Sequence, residues 1–158
     1  MTADRFSIRA FKERDIEEIV DLEQRCFGGI HYLHDLSKPN INVATNDGQV
    51  IGFVASRALP TSSGAWIDCI AVEPRYQRAG IGRLLVDRVH CWMNYAFRRH
   101  IFAYVRQQDL QAQQFFRAVD FVAVRSVKSA VAGHDAYLFR FRHSLASPIK
   151  SADRLRAA

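Results

Sequence analysis

One segment constrains this chain more than any other: Ile67-Asp-Cys-Ile-Ala-Val-Glu-Pro-Arg-Tyr-Gln-Arg-Ala-Gly-Ile-Gly-Arg-Leu-Leu-Val86. It reads as an apolar strand, a turn at Pro74, a loop holding Gly80 and Gly82, and the start of an amphipathic helix. A helix entered through such a loop presents unpaired N–H groups and the positive end of its dipole, so an anion fits there, most commonly phosphate. The two glycines let the backbone pass close to a ligand, and Arg78 and Arg83 add positive charge. Several charge-assisted hydrogen bonds of about 1.5–3 kcal/mol each suffice to hold a diphosphate. The pattern is not G-x-x-x-x-G-K-[ST], and it lacks the first glycine of a dinucleotide-binding turn. Some other diphosphate is implied.

The elements around this segment alternate. Ile8 to Ala10 reads as a strand, and Asp15 as the cap of a helix whose apolar residues Ile16, Ile19, Val20 and Leu22 recur at helical spacing. An irregular stretch from Gly28 to Asn40 follows, of the kind that lines pockets. Ile41 to Thr45 and Val50 to Ala58 flank the turn Asn46-Asp47-Gly48-Gln49, and Ala65 to Val72 completes a three-stranded meander. Gly80 to about Phe97 is helical, with Ile81, Leu84, Leu85, Val89 and Trp92 on one face. His100 to Arg106 reads as a strand, Leu110 to Val119 as a short helix, and Phe121 to Val127 and Tyr137 to Phe141 as closing strands. This order implies a mixed α/β domain in which one strand crosses by a helix to a parallel neighbour.

With 158 residues, 49% of them hydrophobic and 24% charged, the chain suits one globular domain and excludes disordered or collagen-like classes. No apolar run suits a signal peptide or a membrane span, so the expectation is a cytoplasmic protein with no membrane partner. Cys26, Cys69 and Cys91 form no C-x-x-C pair and read as reduced core thiols. The 22 Lys and Arg against 16 Asp and Glu leave a net charge of +6, which favours anionic ligands at long range. The basic residues Arg98, Arg99, Lys150, Arg154 and Arg156 lack an aromatic platform or recognition helix and read as solvated charge, making nucleic acid a disfavoured partner. The Ser/Ala/Arg-rich stretch 143–158 reads as a loosely ordered or short helical tail.

Val72-Glu-Pro-Arg-Tyr-Gln-Arg-Ala-Gly-Ile-Gly82 resembles the acyl-CoA-binding signature of the GCN5-related N-acetyltransferases, in which Q/R-x-x-G-x-G/A follows a V-x-P turn. The element order is similar to that family's from about Arg5 to Arg142, which implies a single acetyltransferase domain over residues 1–142. The implied fold is a three-layer α-β-α arrangement around a mixed, mostly antiparallel sheet, with a V-shaped splay between the fourth and fifth strands. The resemblance also implies that backbone groups of Ile70, Ala71 and Val72 bind the pantetheine arm of acetyl-CoA. The N–H groups of Arg78, Ala79, Gly80, Ile81, Gly82 and Arg83 would bind its pyrophosphate, and an N–H near Ile70 would polarise the acetyl carbonyl. No metal is implied.

Asp109-Leu-Gln-Ala-Gln-Gln-Phe-Phe-Arg-Ala-Val-Asp-Phe121 is similar, more loosely, to the same family's N-x-x-x-A-x-x-x-Y-x-x-x-G-F. Asp109 stands where many members carry Asn, Asp120 where they carry Gly, and Phe116 where they carry the Tyr that protonates the leaving thiolate. Phenylalanine donates no proton. A water or another side chain does so, or transfer is slow, or the chain is an acyl-CoA-binding module without turnover.

The reaction so implied moves acetyl directly to a primary amine: a protein N-terminus, a lysine or a small-molecule amine. Candidate acid or base groups are Asp68 and Glu73 beside the splayed strand and Tyr104 on the next one. Each also has a plainer reading, as a hydrogen-bonded strand carboxylate, a surface charge and a packed aromatic, respectively. Strand alternation places Asp68 on the face opposite Ile67 and Cys69. His31 and His34 suit the shaping of an acceptor pocket better than a metal site, and Tyr32 is the aromatic expected to reach the substrate. Exposed closing strands are compatible with a homodimer.

Overall fold

Val, Ile, Phe and Trp recur along the chain from Asn40 to Val72, which forms three consecutive antiparallel strands, β2 (Asn40–Asn46), β3 (Gln49–Ala58) and β4 (Gly64–Val72). The computed structural model describes residues 6–28, 33, 40–60, 63–95 and 100–142. Asp47 and Gly48, at φ 49° and 86°, make the two-residue turn between the first two of these strands. That left-handed pair matches the twist of a hairpin. β1 (Phe6–Ala10) pairs antiparallel with β2, and α1 (Ile16–Phe27) connects them.

After β4 the chain crosses through α2 (Ile81–Tyr95) and returns as β5 (His100–Arg106), parallel to β4. It then forms α3 (Leu110–Ala118) and the hairpin of β6 (Phe121–Val131) and β7 (His134–Phe141). The sheet order is β1-β2-β3-β4-β5-β7-β6, with β4–β5 the parallel pair among antiparallel ones. This is the mixed, mostly antiparallel sheet expected from the sequence. The closing strands run longer than their apolar cores at Phe121 to Val127 and Tyr137 to Phe141. A tight turn at Ala132-Gly133 (φ 47° and 79°) lets the exposed, polar stretch around it stay paired, out to Val131↔His134.

Two apolar layers sandwich the sheet. On one face Ile19 and Leu22 of α1 pack on Val43, Phe53, Cys69 and Ala71. On the other, Leu85, Val89 and Met93 of α2 and Phe116 of α3 pack on Ile101, Phe121 and Phe139. Each such side chain contributes about 1.5–3 kcal/mol on burial, so the two layers hold the helices to the sheet. No described helix is long and apolar enough to cross a membrane.

The parallel pairing of β4 with β5 is short. It runs from Gly64↔His100 to Ile67↔Ala103 and stops. Beyond that point β4 continues with β3 as far as Val72↔Gly52, and β5 continues with β7 as far as Arg106↔Ala136. The two strands thus leave a V between them, between the fourth and fifth strands as the family resemblance implies.

Asp15 stands at the start of α1 but does not cap it through its side chain. Its carboxylate turns back onto β1, accepting from both terminal nitrogens of Arg9 (2.6 and 2.8 Å) and from the Lys12 N–H (2.8 Å). The group is buried, and the Arg9 hydrogen bonds hold its carboxyl below the usual carboxylate range. A depressed carboxyl adds stability that is present above its unfolded value, about 3.9, and is lost as pH falls through the lower folded value. Asp15→Asn is expected to cost about 1–3 kcal/mol at pH 7. Urea titrations at pH 7 and pH 3 check this: the wild-type advantage should shrink at the lower pH.

Candidate active site

The V opens beside a bulge in β4. Register shifts between Ala55↔Cys69 and Ser56↔Ile67, so Asp68 is an extra residue on its strand. This overturns the simple alternation expected for Asp68: Ile67 packs in the α2/α3 layer and Cys69 in the α1 layer. Asp68 lies on the α1 side with Cys69, where its Oδ1 accepts from Arg57 Nε at 2.8 Å, and Arg57 stands opposite Trp66. Tyr104 is the first β5 residue past the last pair, and its ring lies 4.7 Å from that of Trp66. Asp68 and Tyr104 therefore flank the vertex of the V on one face. Both line a cavity of about 480 Å³ bounded by β4, the glycine loop, β5 and α3.

The electrostatics differ among the three candidate acid or base groups. Burial raises the Asp68 carboxyl above its ordinary value, and the Arg57 guanidinium offsets only part of that rise. Glu73 is held in ion pairs with Arg25 of α1 and, at 3.8 Å, with Arg75. It does not line the cavity. Burial likewise pushes up the Cys26 and Cys69 thiols, which makes both poor nucleophiles at neutral pH.

Hydrogen bonding orients the β4 backbone. The Glu73 N–H donates to Ile51 O on β3 at 2.8 Å. Alternation from there turns the peptide edges of Ala71 toward β3 and those of Ile70 and Val72 toward the V. In keeping with this, Val72 O accepts from the Gln77 side chain at 3.0 Å instead of joining the ladder, and the Gln77 Oε1 accepts from Gln111 of α3 at 3.0 Å. This clasp ties the loop to both walls of the cavity. Gln77 belongs to the sequence motif, but Gln111 does not, because only the docking of α3 brings it near.

At the loop, Arg78 and Gly80 take left-handed conformations, φ 67° and 85°. Gly80 O accepts from Leu84 N at 3.1 Å. The N–H groups of Ile81, Gly82 and Arg83 thus precede the first intrahelical donor, and no acidic residue sits in that first turn. Ala79 and Gly80 are exposed, and a Cβ placed on Gly80 would meet nothing within 4 Å. Gly82 serves packing instead: a Cβ there would lie 2.6 Å from Phe115 Cε2. The Arg83 guanidinium is turned to Ala118 O and lies 4.0 Å from Asp120 Oδ2, bracing the end of α3. Arg78 pairs with no carboxylate among the described residues, and it supplies the loop's free charge.

Asp109 caps α3, its Oδ1 accepting from Ala112 N at 2.9 Å. Phe116 lines the cavity but is buried among Phe115, Phe121 and Phe139, with ring centroids 5.3, 5.1 and 6.0 Å away. Tyr76 also lines the cavity, its Oη accepting from Asn46 Nδ2 at 3.2 Å, and the sequence reading passed over it. Tyr32, His31 and His34 lie outside the described residues, as does the stretch 143–158. Among the described residues no three His, Cys, Asp or Glu side chains gather as metal ligands.

A family model described as "Acetyltransferase (GNAT) family" matches residues 7–121. The chain belongs to this family. As a GNAT acetyltransferase it is an acyltransferase, and solved structures share its fold at low sequence identity. Ard1 from Thermoplasma volcanium is 22% identical with a TM-score of 0.75, over 85% of this chain and 95% of that one. Arabidopsis thaliana Naa50, in complex with the bisubstrate analogue CoA-Ac-MVNAL, is 15% identical with a TM-score of 0.76, over 87% and 99%. PaiA N-acetyltransferase from Thermoplasma acidophilum, in complex with coenzyme A, is 13% identical with a TM-score of 0.69, over 87% and 99%. No curated protein sequence gives a significant match.

The two glycines of this acetyltransferase should fail differently. Gly80→Ala strains only its own left-handed backbone, for about 1–2 kcal/mol. Gly82→Ala forces the Phe115 ring to move, at about 1–3 kcal/mol, and drives it toward the cavity. Denaturation curves together with the fluorescence of a cavity-binding apolar dye separate them, since only Gly82→Ala should displace the dye.

Proposed function

We propose that this acetyltransferase moves the acetyl group of acetyl-CoA directly to a primary amine, with both substrates bound together. The observation that carries the reading is the V beyond Ile67↔Ala103, whose open β4 edge leads to the N-terminus of α2. The residues present suit the cosubstrate. Ile70 and Val72 turn peptide edges to the V, the space over Gly80 is open, and Arg78 is exposed and pairs with no carboxylate among the described residues. The free N–H groups of Ile81, Gly82 and Arg83 would hold the pyrophosphate, joined by those of Arg78, Ala79 and Gly80 in the loop. Acetyl-CoA supplies an activated acyl group on a thiol of pKa near 8.5.

The chain's own groups then divide the work. The Ile70 N–H, aimed into the V, is positioned to donate to the acyl oxygen. Asp68 takes the proton of the attacking amine, directly or through a water. Its raised carboxyl is a better proton acceptor than an ordinary aspartate, and the Arg57 contact offsets part of that rise. Tyr104 borders the same approach. Phe116 offers no proton to the departing thiolate, which needs little help at that pKa.

A modest base suits an acceptor that is easily deprotonated. Freeing a lysine amine at pH 7 costs about 4.6 kcal/mol, whereas an α-amino group of pKa near 8 costs about 1.4. The acceptor is therefore read as the α-amino group of a peptide or protein. The peptide-bearing bisubstrate analogue bound by the structurally similar Naa50 supports that class. The rival reading, a module that holds acyl-CoA without turnover, draws on Phe116.

Calorimetry with CoA and a thiol-release assay with a panel of amines test the proposal. Expected are stoichiometric CoA binding and release that requires an amine. Asp68→Asn should lower kcat by about 10²-fold or more with little change in the KM for acetyl-CoA. The wild-type rate should fall on the acid side as Asp68 protonates, at a pH above the ordinary aspartate range. Binding without release for every amine would favour the module, and absence of binding would overturn both.

A further inference from the structure

The sheet carries a second recognition surface next to the vertex. On the α1 side, α1 itself lies over β3 and β4, and beside it the strip of β5, β7 and β6 combines the buried Leu138 and the half-buried Phe102 and Tyr104 with the exposed Arg125 and Arg140. Register fixes which ones. Tyr104 stands opposite Leu138, and Leu138 stands opposite Arg125; Phe102 stands opposite Arg140; Arg106 follows Tyr104 by two residues on the same face. Arg106, Arg125 and Arg140 thus surround Leu138 beside Tyr104.

None of these three arginines pairs with a carboxylate among the described residues, and Arg125 and Arg140 are exposed. The Arg106 Nε is buried without a hydrogen-bond partner. Arg106 lines the main cavity with Tyr104 and also a hollow of about 340 Å³ at the β6–β7 turn. Asp135, an acid in that hollow, accepts from Ser129 N. Asp68, the acid at the vertex, is taken by Arg57. The face is therefore cationic, with an orphaned guanidinium N–H at its inner end.

We propose that this face selects acceptor peptides carrying aspartate or glutamate shortly after the N-terminal amine. The inference rests on the α-amine reading above and adds its sequence preference. With the amine at Asp68 and Tyr104, Arg106 is about 7 Å along β5, and Arg125 is about 10 Å away across two strands. An extended peptide advances about 3.4 Å per residue, so the third and fourth positions fall over the arginines. Carboxylates there accept bidentate pairs, and the aromatic rings of Phe102 and Tyr104 floor the track.

The test uses the full chain loaded with CoA and matched heptapeptides bearing Glu, Gln or Lys at positions three and four. Binding is followed by calorimetry, and kcat/KM by thiol release with acetyl-CoA. Glu peptides should bind and react at least tenfold better than Gln peptides, and Lys peptides worst. Arg125→Glu/Arg140→Glu should abolish or invert the ranking, and Arg125→Lys/Arg140→Lys should retain most of it. Equal binding of Glu and Gln peptides, or a ranking unmoved by charge reversal, overturns the inference. So does salt-sensitive RNA or DNA binding that is lost on charge reversal with no acidic preference, which would make the face a nucleic-acid surface. Because peptide binding is read without turnover, this inference stands or falls apart from the catalytic one, which fails only if no amine releases the thiol.

Discussion

Everything in the site follows from the early end of one strand pairing. A parallel pair is held by evenly spaced backbone hydrogen bonds, and stopping it at Ile67↔Ala103 leaves donors and acceptors on both inner edges in need of partners. In an ordinary sheet such a gap would be a defect. Here each strand is held on its outer edge, β4 by β3 and β5 by β7, so the V persists without collapsing. The free edge of β4 is thereby left open in the form that strand addition uses, and the proposed cosubstrate is an extended ligand of that kind. The same strand leads through Glu73-Pro74 to the loop and helix end suited to a diphosphate. One linear ligand with an amide-bearing arm and a pyrophosphate meets both features at once.

The bulge at Asp68 sets which carboxylate reaches the vertex. Without the extra residue, Ile67 and Cys69 would share a face and one of the two would leave the apolar layer in which it packs. With it, Asp68 emerges on the α1 side, half-sheltered beside Arg57 and across the vertex from Tyr104. Partial burial raises its proton affinity and the cationic partner lowers it by less, so the carboxylate is more basic than usual. Glu73, only five residues on, is spent on the contact with Arg25 that anchors α1 to the end of β4.

How much of this the sequence discloses depends on how local each feature is. The Asp47-Gly48 hairpin, the glycine loop, α2 and the parallel crossover are written in short-range patterns and are legible directly. The bulge is not, because an inserted residue in an apolar strand looks like ordinary alternation; only its pairing with β3 reveals it. The role of Asp15 is similarly hidden, since a helix-capping aspartate and one gripped by Arg9 occupy the same position in the chain. The extra length of β6 and β7 is masked by Arg, Ser and Lys side chains on an exposed hairpin. Gln111 and the arginines on β5, β6 and β7 come together only once the last two strands insert beside β5.

The substitution at Phe116 and the placement of Asp68 are best understood together. Phe116 is locked in a ring cluster with Phe121 and Phe139, so a hydroxyl there would have to find a partner at the edge of a tightly packed apolar layer. Trading the hydroxyl for packing gives up a proton donor for the leaving group. That loss matters least when the leaving group is a thiolate, already stable near neutral pH, and when the attacking amine is the weaker base. A lysine would ask the site for about 3 kcal/mol more than an α-amine before any bond forms, by the difference between their deprotonation costs at pH 7. On the proposed roles, a site with one carboxylate at Asp68 and no hydroxyl at position 116 is matched to the easier nucleophile, and the proposed cationic face would choose among such amines by the residues that follow.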